Sequence, residues 1–133
     1  MAKKKRVKYS DYFASSEAND NFGTIFNSMC KCKKFQELPP AARWFYALCR
    51  VESQTSESKA CLYRHASLEA REYAPNCFVF PAKHQEQYGI KRQNGSEYFK
   101  LLIDAGFIEY EENNAHRKVV NVYRFSTKWK DDG

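Results

Sequence analysis

Two glycines that bracket one helical run constrain this chain more than any other feature. Between Gly89 and Gly106, the inward candidates Tyr98, Phe99, Leu102 and Ile103 recur at helical spacing, with Arg92, Gln93, Ser96, Glu97, Lys100 and Asp104 falling outward. That pattern predicts an amphipathic helix over residues 91–105 with one face in a core. Glycine enters the left-handed region at little cost, so Gly89 predicts a sharp turn before the helix and Gly106 its end. Directly beyond, residues 107–112 and 118–125 read as two strands joined by the polar stretch 113–117, a composition suited to a hairpin. A long helix is therefore followed at once by an antiparallel pair, and the two must share a core.

The upstream half supplies the rest of that core. Pro39-Pro40 resets the chain and suits the first turn of a helix. Over residues 40–53, Ala41, Trp44, Phe45, Leu48 and Val51 recur at spacings that predict an amphipathic helix. Residues 22–29 read as a short strand or extended segment, and 30–38 as one or two helical turns. A polar loop, 53–59, precedes a second helix over 60–73. The apolar run Cys77-Phe78-Val79-Phe80 predicts a short strand stopped by Pro81, which opens a helix over 82–88. Residues 1–21 are polar with a basic head and are expected to form a flexible arm, 22–126 a single domain, and 127–133 a frayed polar tail.

The stretch GIKRQNGSEYFKLLIDAGFI, beginning at Gly89, resembles the second helix and wing entry of winged helix-turn-helix proteins. The shared order is glycine, a small aliphatic residue, a polar helix start, an inward apolar pair, a charge, and a closing A-G-F-I. Leu38-Pro39-Pro40-Ala41-Ala42-Arg43-Trp44-Phe45-Tyr46 resembles the opening of the DNA-binding domain of plasmid and phage replication initiators and replisome organisers. The resemblance implies an α+β, mainly helical fold: a winged helix-turn-helix with a C-terminal β-hairpin wing and an extra helix inserted after the first core helix. It implies a partner, double-stranded DNA, whose major groove takes the second helix of the pair. Arg92, Gln93, Asn94 and Ser96 then become base-reading candidates, and Lys91 and Lys100 phosphate contacts. His116, Arg117 and Lys118 at the wing tip are placed for phosphates or an adjacent minor groove. Two positions depart from the family pattern: Gly95 stands where a buried aliphatic is usual, and Glu97 puts a negative charge on the reading face. The insertion over 53–76 is also longer than the family's usual link.

Charge alone does not identify the reader. The net charge is +6, but residues 1–37 hold eight Lys or Arg against four Asp or Glu, whereas residues 77–133 are almost balanced. Lys3, Lys4, Lys5 and Arg6 form the basic head, with three readings: an arm adding phosphate contacts, a nuclear import signal, or a solubilising tail. The arm is preferred.

No apolar run is long enough to span a bilayer, and Met1 to Arg6 lacks the apolar stretch of a secretion signal. The expectation is a cytoplasmic protein of a prokaryotic mobile element, associated with nucleoid or plasmid. Five cysteines in that setting are expected to stay reduced. Cys30, Cys32, Cys61 and His65 are conceivable zinc ligands, but their spacing is no recognised finger pattern, and packed cysteines with an exposed histidine are preferred. No nucleophile and base, inward carboxylate pair or glycine-rich phosphate loop stands out, so neither an enzyme nor a cofactor is expected.

The functional expectation is a DNA-binding module, replication-initiator-like or a transcriptional regulator, with a homodimer and a replication or transcription protein as further candidate partners. The rival reading is a protein-interaction module, an inhibitor or adaptor using the same surface. Aromatic richness and the acidic strand carrying Glu109, Glu111 and Glu112 favour that rival.

Overall fold

A computed structural model describes residues 22–67, 76–114 and 120–130. Among them lie six α-helices and three strands, an α+β arrangement that is mainly helical. In chain order they are α1 (Asn27–Cys30), α2 (Lys33–Glu37), α3 (Pro40–Glu52), α4 (Ser56–His65), β1 (Cys77–Phe78), α5 (Ala82–Gln87), α6 (Arg92–Asp104), β2 (Ile108–Glu112) and β3 (Val122–Phe125), followed by a 3-10 turn, Lys128–Lys130. The strands form one antiparallel sheet in the order β1-β3-β2. Among the described residues no helix is long and apolar enough to cross a membrane.

Both bracketing glycines act as the sequence predicts, and by the same device. Gly89 and Gly106 have φ of 78° and 87°. Each closes its helix with a pair of backbone bonds: Gly89 N–H to the Glu86 carbonyl with Ile90 N–H to Gln85, and Gly106 N–H to Ile103 with Phe107 N–H to Leu102. The carbonyls that a helix end leaves unpaired are thereby satisfied, and the apolar residue after each glycine, Ile90 or Phe107, is turned into the core.

The core is aromatic, and its centre is Phe99 of α6. Phe45 of α3 meets it edge-on with ring centroids 4.9 Å apart, and Tyr123 of β3 stacks on it at 4.0 Å. Phe78 at the end of β1 and Phe80 just beyond it complete the surround. Helix, sheet and first helix therefore meet on one ring, whose removal would cost about 3–5 kcal/mol.

On α3 the buried face is turned from the one the sequence suggests. Phe45 and Leu48 are buried, but Ala42, Tyr46, Cys49 and Glu52 complete the face, while Ala41 and Trp44 lie in solvent and Val51 is half-buried. The turn follows from what α3 must touch. The segment 22–26 crosses its C-terminal half so closely that a Cβ on Gly23 would lie 2.7 Å from the Arg50 backbone. Arg50 then covers the rings of Phe125, Tyr46 and Phe26 and donates to the Tyr46 hydroxyl at 2.9 Å.

The inserted helix has a clear structural task. It begins at Ser56, capped by the Thr55 side chain, and ends at His65, earlier at both ends than the 60–73 expected; residues 68–75 lie outside the described ones. Ser and Glu residues at its start favour a helix N-terminus although they read as loop. Its Cys61 and Leu62 join Cys77, Val79 and Val122 in a second apolar cluster. Cys77 and Val79 face α4 while Phe78 and Phe80 face the main core, which is why all four are buried. Ser58 also donates to the Val79 carbonyl at 3.0 Å, satisfying backbone next to the edge strand.

Three further expectations are corrected. Residues 27–30 form a helical turn rather than continuing a strand, and Met29 is buried by it. Gly95 does not weaken packing: it is buried, and the Gln85 side chain of α5 lies where a Cβ would stand, its Oε1 only 1.9 Å from that point. The tail is not frayed as far as residue 130, because Trp129 stacks on Phe107 and its N–H bonds the Gly106 carbonyl. An aromatic ring in a polar tail regains more by covering apolar surface than the short segment loses in entropy.

Gly95→Ala is expected to lower stability, although alanine is the better helix former by about 1 kcal/mol. The Gln85 amide would have to leave its bond to the Phe80 carbonyl, 2.8 Å, to make room. In a Gln85→Ala background the same change should raise stability by up to about 1 kcal/mol. Urea denaturation of both pairs reads the sign; a stabilised single variant would show that the amide yields freely.

Candidate nucleic-acid interface

Helix α6 buries Gly95, Phe99 and Leu102 and turns its opposite side outward. Lys91, Arg92, Gln93, Ser96 and Lys100 are exposed and Asn94 is half-buried. Among the described residues, none of those five exposed side chains has a hydrogen bond or ion pair. Lys91 is the N-cap residue, no side chain caps the helix, and its first turn contains no acid. This is the opposite of what helix stability alone prefers, since the N-terminus carries partial positive charge and favours Ser, Asp or Glu. Lys91 and Arg92 sit at that end, so unpaired backbone N–H groups and two cations share one exposed tip.

What aims the tip is a lock between α3 and α5. Glu52, at the last turn of α3, is only 3% exposed. Its Oε2 lies 2.5 Å from His84 Nδ1 and its Oε1 accepts from the Tyr88 hydroxyl at 2.9 Å. Burial, then the neighbouring Glu52 carboxylate, push the Tyr88 hydroxyl up to about 12, so it remains a donor at neutral pH. Both partners come from the helix that precedes α6. Glu52 is more than thirty residues from His84 and Tyr88, and periodicity alone placed none of the three in a site.

Between α6 and the hairpin runs a groove of about 540 Å³. Arg92, Ser96 and Phe99 form one wall, Pro81, Ala82 and Gln85 the inner end, and Tyr110, Asn114, Val120, Asn121 and Tyr123 the other wall. The hairpin neck is built by two asparagines: Asn121 Oδ1 accepts from the Asn114 N–H at 2.6 Å, and Asn114 Nδ2 donates to the Val120 carbonyl at 2.8 Å. Asn114 is 6% exposed, although the sequence marks it only as a turn residue. Tyr110 is another lining residue that sequence reading passed over. Strand alternation, which sets it opposite Glu109 and Glu111, was the available signal.

The acidic strand is not a free acidic face. Glu109 pairs with Arg124 and with Lys128 (3.1 Å), and Glu111 lies 3.6 Å from Arg124. Strand alternation and the shared partner Arg124 set both carboxylates on one side of β2, away from Tyr110, and the β2-β3 register shifts between Tyr110 and Glu112. Burial alone would raise the Glu109 carboxyl, but the hydrogen bonds from Arg124 and Lys128 outweigh it and hold it below the usual range.

Arg117, Lys118, His116 and the basic head Lys3, Lys4, Lys5 and Arg6 lie outside the described residues. The conceivable zinc ligands are not brought together. Cys61 packs in the second cluster, Cys32 against the main core, and among the described residues no group of three or more His, Cys, Asp or Glu is arranged to hold a metal. Burial pushes the thiol of Cys77 up to about 11, raises that of Cys61 and raises that of Cys49 well above the usual value, so all three stay protonated and weakly nucleophilic at neutral pH. Comparison with family models, curated proteins and solved structures found no match to this chain.

Two outcomes follow from these pairs. Removing the buried Glu52 carboxylate strands the Tyr88 hydroxyl and the His84 ring nitrogen that it holds, so Glu52→Ala is expected to cost about 1–3 kcal/mol in urea denaturation. A loss below about 1 kcal/mol would show that the lock is dispensable. Glu109, with its folded-state pKa lowered, contributes stability that is complete above its ordinary value and disappears as pH falls through the folded one. Glu109→Gln should therefore flatten the acid limb of the melting temperature profile and leave its shape near neutrality unchanged.

Proposed function

We propose that this chain binds double-stranded DNA as a winged helix-turn-helix, with α5 and α6 as the helical pair, α6 in the major groove and the β2-β3 hairpin as the wing. The order helix, strand, two helices, hairpin, with the short strand pairing on the second strand of the hairpin, supports the fold reading. The observation that carries the functional reading is the tip of α6. Its cations and unsatisfied N–H groups are exposed and uncapped, with no acid in the first turn, an arrangement that costs helix stability and is recovered when phosphate or base acceptors arrive.

In this reading Arg92, Gln93 and Ser96 meet base edges, Asn94 supports them from its half-buried position, and Lys91 and Lys100 take phosphates. Glu97 is exposed on the same face as Gln93 and Lys100, where it disfavours phosphate and restricts which bases fit. Arg117, Lys118 and the basic head extend the contact along the backbone. Such a module serves a replication initiator or a small transcriptional regulator of a mobile element, and a homodimer would read half-sites about one helical turn apart.

A second reading, a protein-interaction module, is favoured by exposed apolar side chains away from the α6 tip, Ile25, Phe26 and Trp44 among them.

Titration of fluorescent random-sequence duplex at several salt concentrations separates the two. The DNA reading expects binding tighter than about 0.1 mM at physiological salt with a steep negative salt slope. Lys91→Ala should reduce that slope by about 0.9. Arg92→Ala should cost about 1–3 kcal/mol on a duplex selected from a random pool and blur its consensus at one position. Duplex binding weaker than about 1 mM at low salt would favour the protein-partner reading.

A further inference from the structure

The groove beside α6 contains a feature that duplex binding does not use. Three rings lead outward from the core: Phe99 stacks on Tyr123 at 4.0 Å and an interplanar angle of 5°, and Tyr110 lies tilted against Tyr123 at 5.3 Å and 31°. Phe99 and Tyr123 are buried, whereas Tyr110 is 43% exposed and lines the groove. The aromatic series thus ends on a ring that is partly open to water, at a place where another flat ring can pack.

One amide at the inner end of the groove has an unused acceptor. Gln85 is 6% exposed; its Nε2 is spent on the Phe80 carbonyl, and its buried Oε1, packed over Gly95, has no hydrogen-bond partner. Asn114, on the opposite wall, is also 6% exposed, with Nδ2 spent on the Val120 carbonyl. A buried amide carbonyl left unsatisfied is costly, so the Gln85 end of the groove favours a ligand that brings an N–H donor. Arg92, without an ion pair among the described residues, stands on the opposite wall, while the acids Glu109 and Glu111 are on the other face of the sheet with Arg124.

We infer that this groove takes an unpaired nucleobase of a DNA strand, stacked on Tyr110, with its amino edge toward the Gln85 end of the groove and its phosphate toward Arg92. The inference rests on the DNA-binding reading and extends it to a strand whose base is out of the duplex. A flat ring with an amino edge and an adjoining anion matches all three elements of the groove, and base stacking on an aromatic side chain tolerates any sequence. The volume, about 540 Å³, falls in the range of small-ligand clefts, about 300–1,000 Å³.

The test uses the full chain and three probes: random duplex, short single-stranded oligo-dC, and dCMP. Tyr110→Ala should weaken oligo-dC binding by about tenfold or more while duplex affinity is unchanged, and Tyr110→Phe should bind oligo-dC like the parent chain. Since Tyr110 is exposed, its removal leaves the core intact, and unchanged duplex binding reports that directly. Duplex binding by the parent chain without oligo-dC binding, or oligo-dC binding indifferent to Tyr110→Ala, would overturn the inference and leave the duplex reading standing. Binding of neither DNA would overturn both. dCMP bound as tightly as oligo-dC would overturn the strand assignment and make the groove a mononucleotide site.

Discussion

Everything outward-facing in this molecule depends on how Phe99 is held. Rings from α3, from β1 and the residues just after it, and from β3 enclose it, so α6 is fixed in rotation as well as position. A helix with one buried aromatic pivot and a buried glycine four residues earlier has little freedom to roll. Its polar side, from Lys91 to Lys100, is therefore presented by packing on the far side and not by contacts of its own. A binding surface gains from that arrangement, because its side chains need not be released from internal partners before meeting a ligand.

Close approach of α5 to α6 is the second condition, and it is polar. Gln85 lies over Gly95, holds the Phe80 carbonyl and leaves its own Oε1 unpaired, while one turn away Glu52 gathers His84 and Tyr88. Buried polar groups of this kind add little net stability compared with apolar packing, but wrong geometries cost them heavily. They select one crossing of the two helices from several that an apolar interface would tolerate. The inserted α4 contributes in a different way, by covering the outer side of β1 and so allowing a very short strand to be buried on both faces.

Much of the frame was legible in the residues. The helix ends at Gly89 and Gly106, the helix opened by Pro40, the hairpin after Phe107 and the inward place of Phe99 and Leu102 all follow from local chemistry and period. The exposure of Lys91, Arg92, Gln93, Ser96 and Lys100 follows from the same period. Trp44 and Glu52 did not follow, because a helix with apolar residues on more than half its circumference does not announce which side its neighbours will choose. Tyr110 and Asn114 were hidden for another reason: strand and turn residues acquire a site only when a separate element is brought opposite them.

What the sequence determined by itself, then, was the succession of elements and the polar character of one side of α6, since both are set by interactions within a few residues. Tertiary structure alone decided that Gly95 is a seat for Gln85, that Glu109 and Glu111 of β2 are held by Arg124 and Lys128, and that a groove lined by a partly exposed tyrosine lies beside the cationic helix tip. Each of those depends on groups far apart in the chain meeting at a distance of a few ångströms, and the energy of such a meeting is set by the packing of the whole core, which no local pattern encodes.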